Sequence, residues 1–111
     1  MLSKEYRLKK RGSFTYVRSR GAKTGDKYMS FIAVGGRCKR VGFVVSNKVG
    51  KAVRRNLVKR RMRGVVREVI GRVGCGQMIF VARPGITGLT YAELQSRMLA
   101  LMTKAGMLKG V

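Results

Sequence analysis

Residues 40–83, RVGFVVSNKVGKAVRRNLVKRRMRGVVREVIGRVGCGQMIFVAR, contain the pattern that decides the fold. An apolar run over 40–46 alternates as a strand does, and the apolar run over 77–83 predicts another strand. Between them, residues 51–70 form the longest segment in which apolar residues recur at helical spacing. A strand, a helix and a strand in this order predict a βαβ unit, whose two strands lie parallel in one sheet.

One side of the 51–70 helix is apolar, and we expect it to face the core. At 100° per residue, five apolar side chains fall within a sector of about 100°. They are Val58, Met62, Val65, Val66 and Val69.

The flanking segments predict one small α+β domain. Residues 13–20 predict a short helix, and residues 27–34 predict a strand. A last helix begins at Thr90, which has the spacing of a capping box with Glu93. The buried stripe predicted for that helix consists of Leu94, Met98, Leu101 and Met102.

The charge of the chain indicates a polyanionic partner. There are 26 Lys and Arg residues against 4 Asp and Glu residues, which gives a net charge of +22. Such a surface repels itself unless anions neutralise it, and nucleic-acid phosphates do so while releasing counterions. An anionic membrane is the weaker alternative. The first twelve residues, 1–12, are basic and poor in apolar residues, so we interpret them as a loosely held arm.

The cysteines and the hydropathy of the chain predict a soluble cytoplasmic protein. Cys38 and Cys75 are too few for a disulfide scaffold and lack metal-site spacing, so we expect both to be reduced. No segment approaches the ~20 apolar residues of a membrane span. The N-terminus lacks the apolar stretch of a secretory signal.

The 51–70 helix and the residues just before it carry the strongest binding signal. No acid interrupts the basic residues between Lys48 and Arg67. Like charges four residues apart on a helix are destabilising, and a bound polyanion relieves them. A solvated charged face is the alternative reading, and Asn56 is read either as a surface residue or as an RNA-contacting amide. The predicted RNA-binding residues are Lys48, Lys51, Arg54, Arg55, Asn56, Lys59, Arg60, Arg63 and Arg67.

Catalysis by the protein alone is not expected. The chain has no histidine, and its four acids, Glu5, Asp26, Glu68 and Glu93, are widely separated in sequence. A nuclease site needs a base or a cluster of carboxylates that holds metal ions. We therefore assign no catalytic residue and leave any metal-binding residues unassigned.

The stretch SNKVGKAVRRNLVKRRMR, residues 46–63, resembles the signature of the bacterial ribonuclease P protein component. The matching features are the Val49-Gly50 pair, Ala52-Val53, and the pattern Arg55-Asn56-x-x-Lys59-Arg60-x-x-Arg63. Agreement extends over roughly residues 6–108 and includes Arg7-Leu8, Phe14, Val41-Gly42 and Val81-Ala82-Arg83.

This resemblance implies a fold, and it implies separate roles for the protein and its RNA partner. The fold is a compact α–β sandwich of three helices and about four strands, with a left-handed strand–helix–strand crossover. The whole chain, 1–111, is then a single RNA-binding domain and an accessory subunit, itself monomeric. Its partners are a catalytic RNA and precursor tRNA. The RNA, with Mg²⁺ bound mainly to it, removes the 5′ leader.

The resemblance also implies a cleft for the leader. Phe14 matches an aromatic residue of that cleft, while Arg18 stands where many relatives have a second aromatic. The cleft residues implied are Phe14, Arg18, Ser30, Ile32 and Val44. The alternative interpretation of Phe14 is core packing against Val17.

Two other functions fit the composition. A ribosomal or other structural RNA-binding protein has the same charge, and only the signature argues against it. A DNA-binding protein is the second alternative, although no helix-turn-helix or dimer seam is evident.

Overall fold

The computed structural model describes residues 4–8 and 11–108. These residues form three α-helices and four strands. In order they are α1 (Arg11–Arg20), β1 (Ala22–Gly25), β2 (Met29–Gly35), β3 (Lys39–Val45), α2 (Ala52–Val69), β4 (Gly76–Ala82) and α3 (Tyr91–Lys104).

The four strands form one mixed sheet in the order β1-β2-β4-β3. β3 pairs with β4 in parallel, and α2 connects them, which confirms the predicted βαβ unit. β2 pairs antiparallel with both β1 and β4. The handedness of the crossover stays a prediction.

Strand β1 was not predicted from the pattern of the residues. Its sequence, AKTG, has no apolar alternation, and none of its residues is buried. It lies at the sheet edge and pairs only with β2, so its ladder needs no apolar side chains.

The main core lies between one face of the sheet and helices α2 and α3. All five apolar residues predicted for the α2 stripe are buried, and so are all four predicted for α3. The α3 cap is also confirmed: Glu93 N donates to Thr90 Oγ1 (3.2 Å), and Thr90 N donates to Glu93 Oε1 (2.9 Å).

Helix α1 covers the opposite face of the sheet and creates a second, smaller core. The buried members of this core are Leu8, Val17, Ile32 and Ile79. This explains why β2 and β3 carry apolar residues on both faces. α1 begins at Arg11, two residues earlier than predicted.

The prediction of a loosely held arm over residues 1–12 is wrong for its described part. Arg7 pairs in parallel with Val41, and Leu8 N donates to Val41 O (3.0 Å). Leu8 is buried in the second core. Two apolar residues in a cationic run, Tyr6 and Leu8, gave too weak a pattern to reveal this contact. Residues 1–3 and 9–10 of the predicted arm lie outside the described residues.

Within residues 4–8 and 11–108, no helix is both long enough and apolar enough to span a membrane.

Candidate nucleic-acid interface

The N-terminal end of α2 presents cations beside backbone amides that no N-cap side chain caps. Lys51 is the N-cap residue and its side chain makes no capping hydrogen bond. The first turn contains no acid, and Lys48, Lys51 and Arg54 are exposed. The first amides of a helix point outward and attract anions, so the cations and the helix dipole act together.

Arg55 is held by the turn that precedes α2. Its Nη1 donates to the side-chain Oδ1 of Asn47, and Arg55 N donates to Lys51 O (3.0 Å). Arg55 is partly buried, and its guanidinium has further N–H groups available to a phosphate.

The other predicted α2 residues divide into two groups. Asn56, Arg60 and Arg67 are exposed on the outer face of the helix. Lys59 and Arg63 are partly buried and turn toward β3 and α1, where they line depressions in the surface. The structure therefore separates Lys59 and Arg63 from the outer-face residues, because the edge of the sheet lies against that side of α2.

Arg63 lies in an environment that penalises its charge. Burial lowers the pKa of its guanidinium, and the positive charge of Arg7 lowers that pKa further. Arg63 Nε is buried and has no hydrogen-bond partner among the described residues. An anion at this point would satisfy the N–H group and relieve the repulsion between the two arginines.

A trough runs along one side of α1, with the sheet as its floor. Arg11, Phe14 and Arg18 line it from α1, where their i, i+3 and i+7 positions place them on the same side. Val44 and Val81 are paired in the floor. We call this surface the α1 trough.

The two ends of the α1 trough differ in their lining. At β3 the depression has a volume of about 370 Å³, and Lys59 of α2 borders it. Toward β1 its volume is about 260 Å³, and Lys23 borders it. Because Val81 lines the second depression and pairs with Val44 in the first, the two depressions adjoin.

Gly42 determines how closely Phe14 approaches the sheet. A Cβ atom at Gly42 would lie 2.6 Å from the Phe14 ring atoms Cε1 and Cζ. Only glycine therefore allows the ring to rest directly on β3. Phe14 is half-buried there and borders the depressions that Lys59 and Arg63 line.

All five predicted cleft residues meet at the α1 trough, but they are not equally accessible. Phe14, Arg18 and Val44 present surface to solvent. Ser30 and Ile32 are only 4% and 5% exposed, and Ser30 Oγ accepts a 2.6 Å hydrogen bond from Arg83 Nη2. These two residues form the floor rather than the contact surface, and leader contact by all five stays a prediction.

Several residues of this surface were missed by sequence reasoning. Two of them could have been found from the sequence. Arg11 lies one helical turn before Phe14, and Val81 follows Phe80 in β4, so the two side chains point to opposite faces of the sheet. Nothing in the sequence alone brings Lys23 or Arg83 to the same trough, because their positions depend on the pairing of β2 with β1 and β4. The residues missed are Arg11, Lys23, Phe43, Val81 and Arg83.

Three acids serve the fold. Asp26 Oδ1 accepts from Tyr28 N (2.8 Å) and Met29 N (3.0 Å), and Asp26 Oδ2 forms an ion pair with Arg97 (3.3 Å). Glu93 belongs to the α3 cap.

Glu68 links α2 to α3. It accepts from Tyr91 Oη (2.7 Å) and from Gln95 Nε2 (2.9 Å). The pKa of Tyr91 is raised to about 12, mainly by burial and to a smaller extent by the hydrogen bond to Glu68 and the negative charge of Glu68.

Among the described residues, no three His, Cys, Asp or Glu side chains are placed to hold a metal ion.

Comparison with known proteins finds a matching family model and similar sequences along nearly the whole chain. A family model described as Ribonuclease P matches residues 2–106. The ribonuclease P protein component of Gluconacetobacter diazotrophicus is 36% identical over 111 residues, covering 96% of each chain. The corresponding protein of Symbiobacterium thermophilum is 36% identical over 112 residues, covering 97% of each chain.

Solved structures show the same fold. The ribonuclease P protein of Staphylococcus aureus superposes with a TM-score of 0.89 at 24% identity, covering 96% of this chain and 100% of its own. That of Thermotoga maritima superposes with a TM-score of 0.80 at 26% identity, covering 88% of this chain and 96% of its own.

Proposed function

The chain belongs to the ribonuclease P protein family, and from that membership we propose that α2 binds the catalytic RNA and the α1 trough holds the 5′ leader of precursor tRNA. The protein is a subunit of a tRNA-processing ribonucleoprotein endonuclease.

The α2 surface suits a folded RNA. Its cations lie at one helix end and along the outer face, and no acid occurs between Lys48 and Arg67. Arginine binds two phosphate oxygens through its planar fork, so Arg54 and Arg60 are suited to the backbone of a fixed RNA structure. Asn56 is exposed among them and both donates and accepts, which suits a sugar or a base edge.

The α1 trough suits a single strand. Its floor contains the partly exposed apolar residues Val44 and Val81, and Phe14 supplies an aromatic surface. Arg11 and Arg18 lie along the rim. Single-stranded nucleic acid is bound by this combination of apolar or aromatic contacts to bases and cations that follow the backbone.

The observation that carries the proposal is the position of Lys59 and Arg63. Both belong to α2, yet Lys59 lines the α1 trough, and Arg63 lines an adjoining depression that shares Phe14 with it. The two basic surfaces are therefore continuous, and a strand that leaves an RNA bound on α2 can enter the trough directly.

We assign phosphodiester hydrolysis to the RNA and its Mg²⁺. Asp26, Glu68 and Glu93 are each engaged in a structural contact, and the chain contains no histidine. The contribution of the protein is to bind and orient the two RNAs.

Reconstitution with a bacterial ribonuclease P RNA tests the proposal. Added protein should allow precise removal of the leader at a Mg²⁺ concentration at which the RNA alone is inactive. Phe14→Ala should weaken binding of precursor tRNA more than binding of mature tRNA. Equal weakening for both would refute the leader assignment, and tighter binding to a duplex DNA competitor at the same salt would refute RNA as the partner.

A further inference from the structure

The two cysteines lie at the beginning of the neighbouring parallel strands β3 and β4. The first paired positions of this ladder are Lys39 and Gly76, so Cys38 and Cys75 each stand one residue before them. Gly76 N donates to Cys38 O (3.0 Å). Since Gly76 N is bonded to the carbonyl carbon of Cys75, one hydrogen bond and one peptide group separate the two cysteines.

This spacing suits a covalent link. Neighbouring strands lie about 4.8 Å apart in the hydrogen-bonding direction. Disulfides join residues whose Cα atoms are about 4.4–6.8 Å apart. Both side chains are exposed, and both thiols are free in the structure. Exposure leaves each Sγ free to rotate toward the other and accessible to a soluble oxidant.

We propose that Cys38 and Cys75 are a reversible dithiol–disulfide site whose oxidant is a low-molecular-weight disulfide such as oxidised glutathione. One cysteine thiolate attacks a sulfur of the oxidant, forms a mixed disulfide and releases one glutathione. The second cysteine thiolate attacks the protein sulfur of that mixed disulfide, which forms the Cys38–Cys75 bond and releases a second glutathione. Two protein thiols are oxidised, and one disulfide of the oxidant is reduced.

The link would close a loop that contains β3 and α2, the first strand and the helix of the βαβ unit. Restricting a loop of this length in the unfolded chain stabilises the folded state. For a domain of this size we expect the melting temperature to rise by roughly 10 °C or more. The seven residues of β3 place the bond about 20 Å along the strand from Val45, where β3 ends.

Mass spectrometry of the folded chain tests the site. The protein is incubated dilute with oxidised glutathione, and the remaining thiols are blocked with iodoacetamide. The expected product is a monomer that has lost two hydrogens, carries neither glutathione nor an alkyl group, and returns to the dithiol with dithiothreitol. Digestion should yield one linked peptide pair, and the melting temperature should be higher than that of the reduced chain.

Cys38→Ser and Cys75→Ser are the matched controls. Each should accept a single glutathione and show no comparable rise in melting temperature. A wild-type chain that carries two glutathiones, or that forms only disulfide-linked dimers, would overturn the proposal. So would an internal disulfide that lowers the melting temperature, because the native positions would then not accommodate the bond.

Discussion

Replacing Gly42 with alanine should displace Phe14 from the sheet. The new Cβ atom would lie 2.6 Å from two Phe14 ring carbons and 3.2 Å from Leu8 Cβ. Extra atoms in a packed site reduce the free energy of unfolding by about 1–3 kcal/mol. Gly42 has no positive φ, so alanine can adopt its backbone conformation. Because alanine also restricts the unfolded chain, it raises the free energy of unfolding by about 0.4–1 kcal/mol, which offsets part of the loss. We expect a net loss of about 1–2 kcal/mol.

A double-mutant cycle isolates the contact responsible. In a Phe14→Ala background the ring is absent and only the 3.2 Å approach to Leu8 Cβ remains, so Gly42→Ala should be close to neutral. The interaction energy between the two positions should then be about 1–2 kcal/mol, measured by urea unfolding followed by circular dichroism. Gly35→Ala is the control, because a Cβ atom there meets nothing within 4 Å.

The same substitution should affect binding selectively. With Phe14 displaced, the Gly42→Ala chain should bind precursor tRNA more weakly relative to mature tRNA, while its affinity for the catalytic RNA is retained. If Gly42→Ala destabilises the protein equally with and without the Phe14 ring, then the ring is not the obstacle and the reasoning about the trough is refuted.

Three further predictions concern the remaining elements. Arg60→Ala should weaken binding to the catalytic RNA and reduce by about 1 the magnitude of the slope of log binding constant against log salt concentration. Arg37→Ala, which removes the same charge from the turn between β2 and β3, should change this slope less. Equal slopes for the two variants would count against α2 as the RNA-binding surface. Thr90→Ala should reduce the free energy of unfolding by about 1 kcal/mol because it removes the α3 cap, and no change in urea unfolding would contradict that role. The pKa of Tyr91 is raised in the folded state to about 12, so its stabilising contribution is complete below about pH 10 and is lost as the pH rises through about 12. Tyr91→Phe should therefore flatten the pH dependence of unfolding in that window, and identical pH profiles would disprove the link.

The sequence was most informative about α2 and α3. Both helices are long enough for several turns of apolar residues, so the period of the pattern is unambiguous and the buried stripes follow from it. The burial of Val58 and Met98 could be predicted in this way without knowledge of any neighbour. Leu8, in contrast, is not part of a periodic pattern of apolar residues, and its burial depends on a contact with β3, far along the chain.

The site could be predicted only in part, because it combines periodic and tertiary information. The cations of α2 were evident from composition and spacing. Their division was not, since it depends on which side of α2 lies against β3. Likewise, Val44 and Val81 become neighbours only through the parallel register of β3 and β4. A single sequence does not specify that register, and the family resemblance supplied the cleft.

The short pairing of Arg7 with Val41 has a consequence for the behaviour of the protein in solution. Strand β3 lies at a sheet edge, and exposed edges allow sheets from different molecules to join. In the free protein, the net charge of +22 keeps copies apart. Bound RNA cancels much of that repulsion, and the segment at Arg7 and Leu8 then remains as a physical barrier on the β3 edge. Disrupting this pairing should increase edge-to-edge association once RNA has neutralised the protein.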